Sequence, residues 1–208
     1  MNHHETGLRY GPLGDGCVHL CVDMQRLFAE ETDWQMAWAD RVLPNIARIA
    51  AAHPDRDVFT RFMPVDRPGE GEGTWRRYYK RWDSMTLENL GVEMADLVPD
   101  LQRFVPPGTV IDKRVYSPWV EPELDAALRA RSIDTTIITG GETDVCVLAT
   151  VLGAVDRGYR VLVVKDALCS SSDETHDTLL DLYRRRYGQQ IETITTDDLL
   201  EAWSKAGG

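Results

Sequence analysis

Short apolar runs alternate with amphipathic helical patterns along this chain, and that alternation restricts the folds it can adopt. The apolar runs predict strands at residues 17–23, 57–62, 108–113, 135–139, 159–167 and 190–195. Apolar residues three and four apart predict helices at residues 34–53, 122–132, 144–158, 172–188 and 196–203. Strands that alternate with helices of this length form βαβ units. We therefore expect a three-layer α/β/α sandwich with a mostly parallel, Rossmann-like sheet of about six strands.

The length of the chain sets the expected number of domains. With 208 residues, of which 43% are hydrophobic, the chain can bury one sizeable core, so we expect a single domain over residues 1–208. The segment 63–107 is much longer than a usual connection in an α/β fold. We expect this segment to be a lid or insert within the domain, or an oligomer contact.

The charge and the apolar content exclude several classes of partner. A formal net charge of -11 repels phosphate backbones, so no nucleic-acid partner is expected. The apolar runs are shorter than the roughly 20 residues that cross a bilayer, so no membrane partner is expected. The four cysteines form no CxxC pair, and the beginning of the sequence does not resemble a secretory signal. Reduced thiols and a cytoplasmic location are the expectation.

Three reactive side chains fall where predicted strands end. Ligands of open α/β sheets bind beyond the carboxyl ends of the strands. The first strand ends in Asp23, the third in Lys113, and the fourth runs into Cys146. A carboxylate, an ammonium and a thiol suit nucleophilic catalysis. Each residue also has an ordinary alternative: a turn acid for Asp23, a surface lysine for Lys113 and a small core residue for Cys146.

The sequence TGGETDVC (139–146) places Cys146 at a strand-to-helix junction. A helix N-terminus favours the thiolate, because free N–H groups and the helix dipole stabilise negative charge there. Gly140 and Gly141 permit a tight turn, and its amides could hold an oxyanion. We therefore expect Cys146 in the first turn of a helix, with a thiol pKa that Lys113 helps to keep low.

Three segments carry a family resemblance that covers roughly residues 15–200. They are CVDMQRLF (21–28), VIDKRVYSPW (110–119) and GGETDVCVLATVLGAVDRGYRVLVVKDAL (140–168). In this order they resemble the isochorismatase-like cysteine hydrolases, a superfamily that includes nicotinamidases and N-carbamoylsarcosine amidohydrolase. The resemblance implies an isochorismatase-like hydrolase fold and a homodimer or homotetramer.

The same resemblance assigns residue roles. It implies a catalytic triad of Asp23, Lys113 and Cys146, and an oxyanion hole formed by the backbone N–H groups of Glu142 and Cys146. It also implies a cis peptide bond between Gly141 and Glu142. The implied reaction is cleavage of a C–N bond through a thioester on Cys146, with Asp23 moving the protons.

Departures from the family pattern narrow the expected chemistry. No histidine occurs from residue 54 to residue 175, whereas the nicotinamidase branch has histidines there that bind a metal. We therefore expect no metal and no cofactor, and a small amide or a carbamoyl or ureido compound as substrate. Three alternatives stay open: an isochorismatase-type hydrolase of a non-amide substrate, a non-catalytic binding protein of the same fold, and a thiol redox protein.

The substrate pocket is expected to involve the segment TWRRYYKRW (74–82). Its aromatic residues fall on one face of a predicted helix, so the segment either packs as an amphipathic helix or forms an aromatic lid. An arginine in it could pair with a substrate carboxylate in two parallel hydrogen bonds. The pocket candidates are Phe28, Trp75, Arg76, Tyr79, Tyr116 and Trp119. His176 is expected to be a surface or capping residue.

Overall fold

Six strands form one parallel sheet in the computed structural model, which describes residues 8–204. They are β1 (Cys17–Val22), β2 (Asp57–Phe62), β3 (Thr109–Lys113), β4 (Thr135–Gly141), β5 (Arg160–Cys169) and β6 (Ile191–Ile194). Their order across the sheet is β3-β2-β1-β4-β5-β6, and every neighbouring pair is parallel. This is the doubly wound Rossmann order. The predicted α/β fold class is confirmed.

Helices cover both faces of the sheet. The helices are α1 (Arg26–Ala29), α2 (Ala39–Ala52), α3 (Thr74–Arg81), α4 (Leu87–Leu90), α5 (Pro99–Gln102), α6 (Pro122–Ala130), α7 (Leu148–Asp156), α8 (Asp173–Arg186) and α9 (Thr196–Ser204). Helices α2 and α9 contribute to one apolar core, and α6, α7 and α8 contribute to the other. Within residues 8–204, no helix is long and apolar enough to cross a membrane.

Strand β1 shows how the two cores share one sheet. Cys17 and Cys21 pack into the first core, whereas Val18, Leu20 and Val22 pack into the second. Successive side chains of a strand point to opposite faces. A strand buried on both faces therefore needs a nearly continuous apolar run, which is the pattern that predicted it.

Helix α2 begins five residues later than the sequence pattern predicts. Residues 34–38 form a turn in which the Met36 N–H donates to the Phe28 carbonyl at 2.8 Å. Trp34 is buried among the aromatic side chains of the first core. The apolar residues before Ala39 are therefore spaced as in a helix because this turn is buried. The predicted helix start at residue 34 is wrong.

The long segment 63–107 is folded onto the first core. Its short helices α3, α4 and α5 are joined by turns, and Tyr79, Met85 and Leu101 are buried. The buried Gln25 side chain donates to the carbonyls of Phe62 and Ala95 at 3.0 and 2.7 Å. These bonds tie the segment to the ends of β1 and β2, so the segment encloses that edge of the sheet.

Substitution of Gly140, near the end of β4, tests how closely the backbones of β1 and β4 approach each other there. Its φ is +103°, and an added Cβ would lie 2.1 Å from the Val22 carbonyl oxygen. Gly158 also has positive φ, +82°, but a Cβ there would meet nothing within 4 Å. We expect Gly158→Ala to cost about 1–2 kcal/mol in unfolding free energy and Gly140→Ala at least about 3 kcal/mol.

Urea unfolding of both variants beside the parent protein gives the two costs. A Gly140→Ala protein that cannot be obtained folded agrees with the larger cost. Equal losses in the two variants would contradict the close approach of β1 and β4.

Candidate active site

The structure brings the three candidate catalytic residues together at the carboxyl edge of the sheet. The Lys113 ammonium lies 2.6 Å from Asp23 Oδ2 and 3.6 Å from the Cys146 sulfur. All three residues are buried. Asp23 follows β1 and Cys146 follows β4, the two strands that flank the switch point of the sheet. Lys113 ends β3, so its long side chain spans the intervening end of β2.

The Asp23 carboxylate is fixed by hydrogen bonds at both oxygens. Lys113 donates to Oδ2, and the Thr60 hydroxyl on β2 donates to Oδ1 at 2.6 Å. Asp23 itself has φ of +50°, and its N–H donates to the Thr60 carbonyl at 3.2 Å. Sequence reasoning missed Thr60, because only the strand order places it beside Asp23.

Lys113 keeps its proton despite deep burial. Burial alone would lower the pKa of the ammonium, but Asp23 and Cys146 favour the charged form, and the net pKa lies above its ordinary value. Its Nζ also donates to the Val115 carbonyl at 3.2 Å and lies 5.2 Å from the centre of the Phe62 ring. The site therefore contains a fixed, compensated positive charge.

The surroundings of Cys146 favour its protonated form. Burial raises its pKa, the negative charge of Asp23 raises it further, and Lys113 only partly offsets both effects. The expectation of a lowered pKa is therefore wrong, because the chain buries the thiol beside a carboxylate. A thiol next to a carboxylate is an arrangement that suits proton transfer from sulfur to oxygen.

The turn that holds Cys146 also differs from the predicted helix N-terminus. Residues Thr143–Val147 form a wide π-type turn, and the regular helix α7 begins at Leu148. The Glu142 carbonyl accepts from the N–H groups of Val145 and Val147 at 3.1 and 3.0 Å. The peptide bond between Gly141 and Glu142 is cis, as the resemblance implies.

His176 is a buried partner of this turn rather than a surface residue. Its Nδ1 lies 2.8 Å from the Thr143 hydroxyl, which also donates to the Cys169 carbonyl at 3.0 Å. Burial lowers the pKa of His176, and its ring lies edge-on to Trp38 at 5.3 Å. The neutral ring thus braces the residue three positions before the thiol, although its sequence position did not indicate this role.

A cavity of about 280 Å³ opens onto the Cys146 thiol. Ligand pockets usually measure about 300–1,000 Å³, so this one suits a small molecule. Two predicted pocket residues, Phe28 and Tyr116, line it. The other residues that line it are Asp33, Trp34, Phe62, Tyr78, Trp82, Glu142, Val145, Cys146 and Ser171.

The remaining pocket candidates lie outside this wall. Trp75 and Tyr79 line a neighbouring recess instead, and Arg76 is exposed on helix α3. Trp119 is buried on the opposite core, where its Nε1 donates to the Thr150 carbonyl at 2.8 Å. The prediction that Trp119 lines the pocket is wrong, because the turn after β3 directs its ring under α7. Sequence proximity to Lys113 did not reveal that direction.

Metal-ligating residues do not cluster in the part of the chain that the structure describes. Among residues 8–204, no group of three or more histidine, cysteine, aspartate or glutamate side chains is arranged to hold an ion. The histidines at positions 3 and 4 lie outside the described residues. Independence from metal therefore stays a prediction for measurement.

Comparison with known proteins gives both a fold match and relatives. The solved structure of a cysteine hydrolase from Pseudomonas syringae pv. phaseolicola has a TM-score of 0.81 and 22% identity, over 98% of this chain and 100% of that one. A ureidoacrylate amidohydrolase, RutB, of Methylorubrum extorquens is 40% identical over 184 residues, which cover 74% of this chain and 69% of that protein.

Shorter matches occur to proteins of Bacillus subtilis. The uncharacterized isochorismatase family protein YwoC is 32% identical over 113 residues, or 51% of this chain. The matched part of this chain covers 58% of the length of YwoC. A second relative from the same organism, PncA, is covered over 44% of its length. The chain therefore spans roughly half the length of each of these two relatives.

The structural match shows that this chain shares its six-stranded parallel α/β fold with that cysteine hydrolase. An isochorismatase domain matches residues 17–197, nearly the whole chain. The protein belongs to the isochorismatase family.

Asp23→Asn should separate thiol reactivity from turnover. The substitution removes the negative charge that raises the pKa of Cys146 and leaves the opposing effect of Lys113. We expect alkylation of Cys146 by iodoacetamide to shift to lower pH, while turnover falls about 10²–10⁴-fold through loss of the base. Peptide mapping across a pH series measures the alkylation at Cys146 alone.

Asp100→Asn is the matched control, since Asp100 is exposed on α5 and should leave both quantities unchanged. If alkylation in Asp23→Asn required higher pH than in the parent, the assigned role of Asp23 would be contradicted.

Proposed function

We propose that the protein is a metal-independent cysteine hydrolase that cleaves a C–N bond of a small amide, carbamoyl or ureido compound through a thioester on Cys146. One observation carries the proposal: the Lys113 ammonium lies 2.6 Å from a carboxylate and 3.6 Å from a thiol that lines a cavity. The amidohydrolase among its relatives supports the choice of a C–N bond.

Acylation uses Asp23 as the base. The thiol proton passes to Asp23 as the sulfur attacks the substrate carbonyl carbon, so the thiolate forms only during attack. The carbonyl oxygen becomes an oxyanion. Asp23 then returns the proton to the departing nitrogen, the C–N bond breaks, and ammonia or an amine leaves the acyl group on Cys146.

Deacylation repeats the proton transfers with water. Asp23 takes a proton from a water molecule as its oxygen attacks the thioester carbon. The C–S bond breaks, the thiol recovers its proton, and the carboxylic acid departs. In both halves Lys113 remains an ammonium, which stabilises whichever of Asp23 and Cys146 carries the negative charge.

The oxyanion requires donors beside the thiol. We assign them to the backbone N–H groups of Glu142, which directly precedes the π-type turn, and of Cys146 within that turn. Backbone donors that are already in place need no reorganisation during reaction, and one such donor is worth about 10²–10³-fold in rate. The Thr143 hydrogen bonds to His176 and Cys169 hold this turn in shape.

Ammonia release from a panel of simple carboxamides, carbamoyl and ureido compounds tests the proposal. We expect release by the parent protein with and without chelator, and a fall of more than about 10⁴-fold in Cys146→Ala. Cys17→Ala is the matched control, since Cys17 is also a buried free cysteine but begins β1 at the far edge of the sheet. It should retain activity.

Each other result has a defined meaning. Release that survives in Cys146→Ala would contradict the nucleophile, and release lost with chelator would contradict metal independence. No release from any compound would favour a non-amide substrate or a binding protein of the same fold.

A further inference from the structure

Aromatic rings and two carboxyl groups line most of the cavity over Cys146. Six rings line it, from Phe28, Trp34, Phe62, Tyr78, Trp82 and Tyr116. The ionisable side chains other than the thiol and the phenols are the carboxyls of Asp33 and Glu142. Within residues 8–204, no lysine, arginine or histidine lines this cavity. This composition is unlike a site that receives a carboxylate.

The six lining rings are called the cage here, and four of them pack against the ring of Trp34. Its centroid lies 6.0 Å from Phe28, 5.9 Å from Phe62, 5.7 Å from Tyr78 and 6.3 Å from Trp82. Aromatic faces attract cations, including quaternary ammonium groups, because the quadrupole of a ring is negative over its face and positive at its edge. Phe62 already has the Lys113 ammonium 5.2 Å from its ring centre.

The two carboxyls add negative charge to this cage. Glu142 accepts hydrogen bonds from Ser171, and burial raises its pKa, so a cation beside this carboxyl would stabilise its ionised form. Asp33 is exposed at the cavity and accepts from Ser84. Lys113 does not offset them, because Asp23 already pairs with it at 2.6 Å. A cation in the cage would interact favourably with both carboxyls.

The arginines of α3 do not reverse this charge. Arg77 and Arg81 line a separate recess together with Thr74 and Trp75, beyond the Tyr78 and Tyr116 rings. Arg81 reaches this wall only from behind, with its guanidinium 5.1 Å from the Trp82 ring centre. Among residues 8–204, the side chains that face a carboxylate inside the cage are aromatic rings and carboxyls rather than cations. The expected arginine clamp for a substrate carboxylate is thus absent from the wall of this cavity.

We propose that the cavity selects amides whose acyl part ends in a positively charged group, such as a trimethylammonium, and rejects those that end in a carboxylate. The proposal rests on the proposed function, because it assumes that the acyl part stays on Cys146 while ammonia leaves. The small cavity then has to accommodate the rest of the acyl group in the aromatic cage.

Three primary amides of equal chain length test the selectivity. Each joins the carboxamide through three methylenes to a trimethylammonium group, to its neutral tert-butyl isostere, or to a carboxylate. The three methylenes keep the charge from altering the reactivity of the carbonyl. Binding is measured by calorimetry on Cys146→Ala, and turnover on the parent protein.

We expect the trimethylammonium amide to bind about tenfold or more tightly than the tert-butyl amide, from cation–π and carboxylate attraction in a partly desolvated cage. The carboxylate amide should bind most weakly. Equal binding of the cationic and neutral amides, tighter binding of the carboxylate, or no binding of the cation would overturn the proposal.

The two measurements separate this inference from the hydrolase proposal. Cation-selective binding to Cys146→Ala without turnover by the parent protein would sustain the selectivity and contradict the hydrolase. Turnover of all three amides without preference for the cation would sustain the hydrolase and contradict the selectivity.

Variants then assign the selectivity to the carboxyls. Asp33→Asn and Glu142→Gln, each combined with Cys146→Ala, should lower the ratio of cationic to neutral affinity several-fold, while Asp100→Asn should not. Both affinities in the ratio are measured on the same preparation of a variant, so an unfolded fraction affects them equally and does not change the ratio. An unchanged ratio in both cavity variants would overturn the role of these carboxyls.

Discussion

The buried ion pair between Lys113 and Asp23 is the interaction on which the rest of the site depends. Two charges removed from water are costly unless each finds its partner and its remaining hydrogen bonds. Thr60 and the Val115 carbonyl provide those bonds. Because the pair is compensated, the chain can place the Cys146 thiol beside it without burying an unpaired charge. Burial and Asp23 raise the pKa of the thiol, so in the proposed reaction it stays protonated until substrate arrives and Asp23 is beside it as the base.

The sequence predicted the fold well because the fold depends on patterns within single elements. Strands buried on both faces require apolar runs, and even the central β1 shows one, although His19 interrupts it. That ring is accommodated by Asp57 and Thr139 on the neighbouring strands, each at 2.7 Å. The start of α2 was mispredicted because the apolar spacing near Trp34 serves a buried turn, and local periodicity does not distinguish the two.

The site was predictable only as far as strand ends indicate it. Asp23, Lys113 and Cys146 follow from the rule that parallel strands direct their carboxyl ends to one edge. The pKa direction of Cys146 did not follow, because it depends on burial and on its separation from Asp23 in space. Of the cavity wall the sequence indicated Phe28 and Tyr116. Trp34 and Phe62 were hidden, since they come from separate elements and meet only through tertiary packing.

A covalent acyl intermediate is the central claim of this account, and product partitioning tests it most directly. Two amides that share an acyl group but release ammonia or methylamine are turned over with added hydroxylamine. The ratio of hydroxamate to acid is then measured for each. A common thioester predicts the same ratio for both amides, because the leaving group has departed before partitioning. Ratios that differ between the two amides would contradict the thioester.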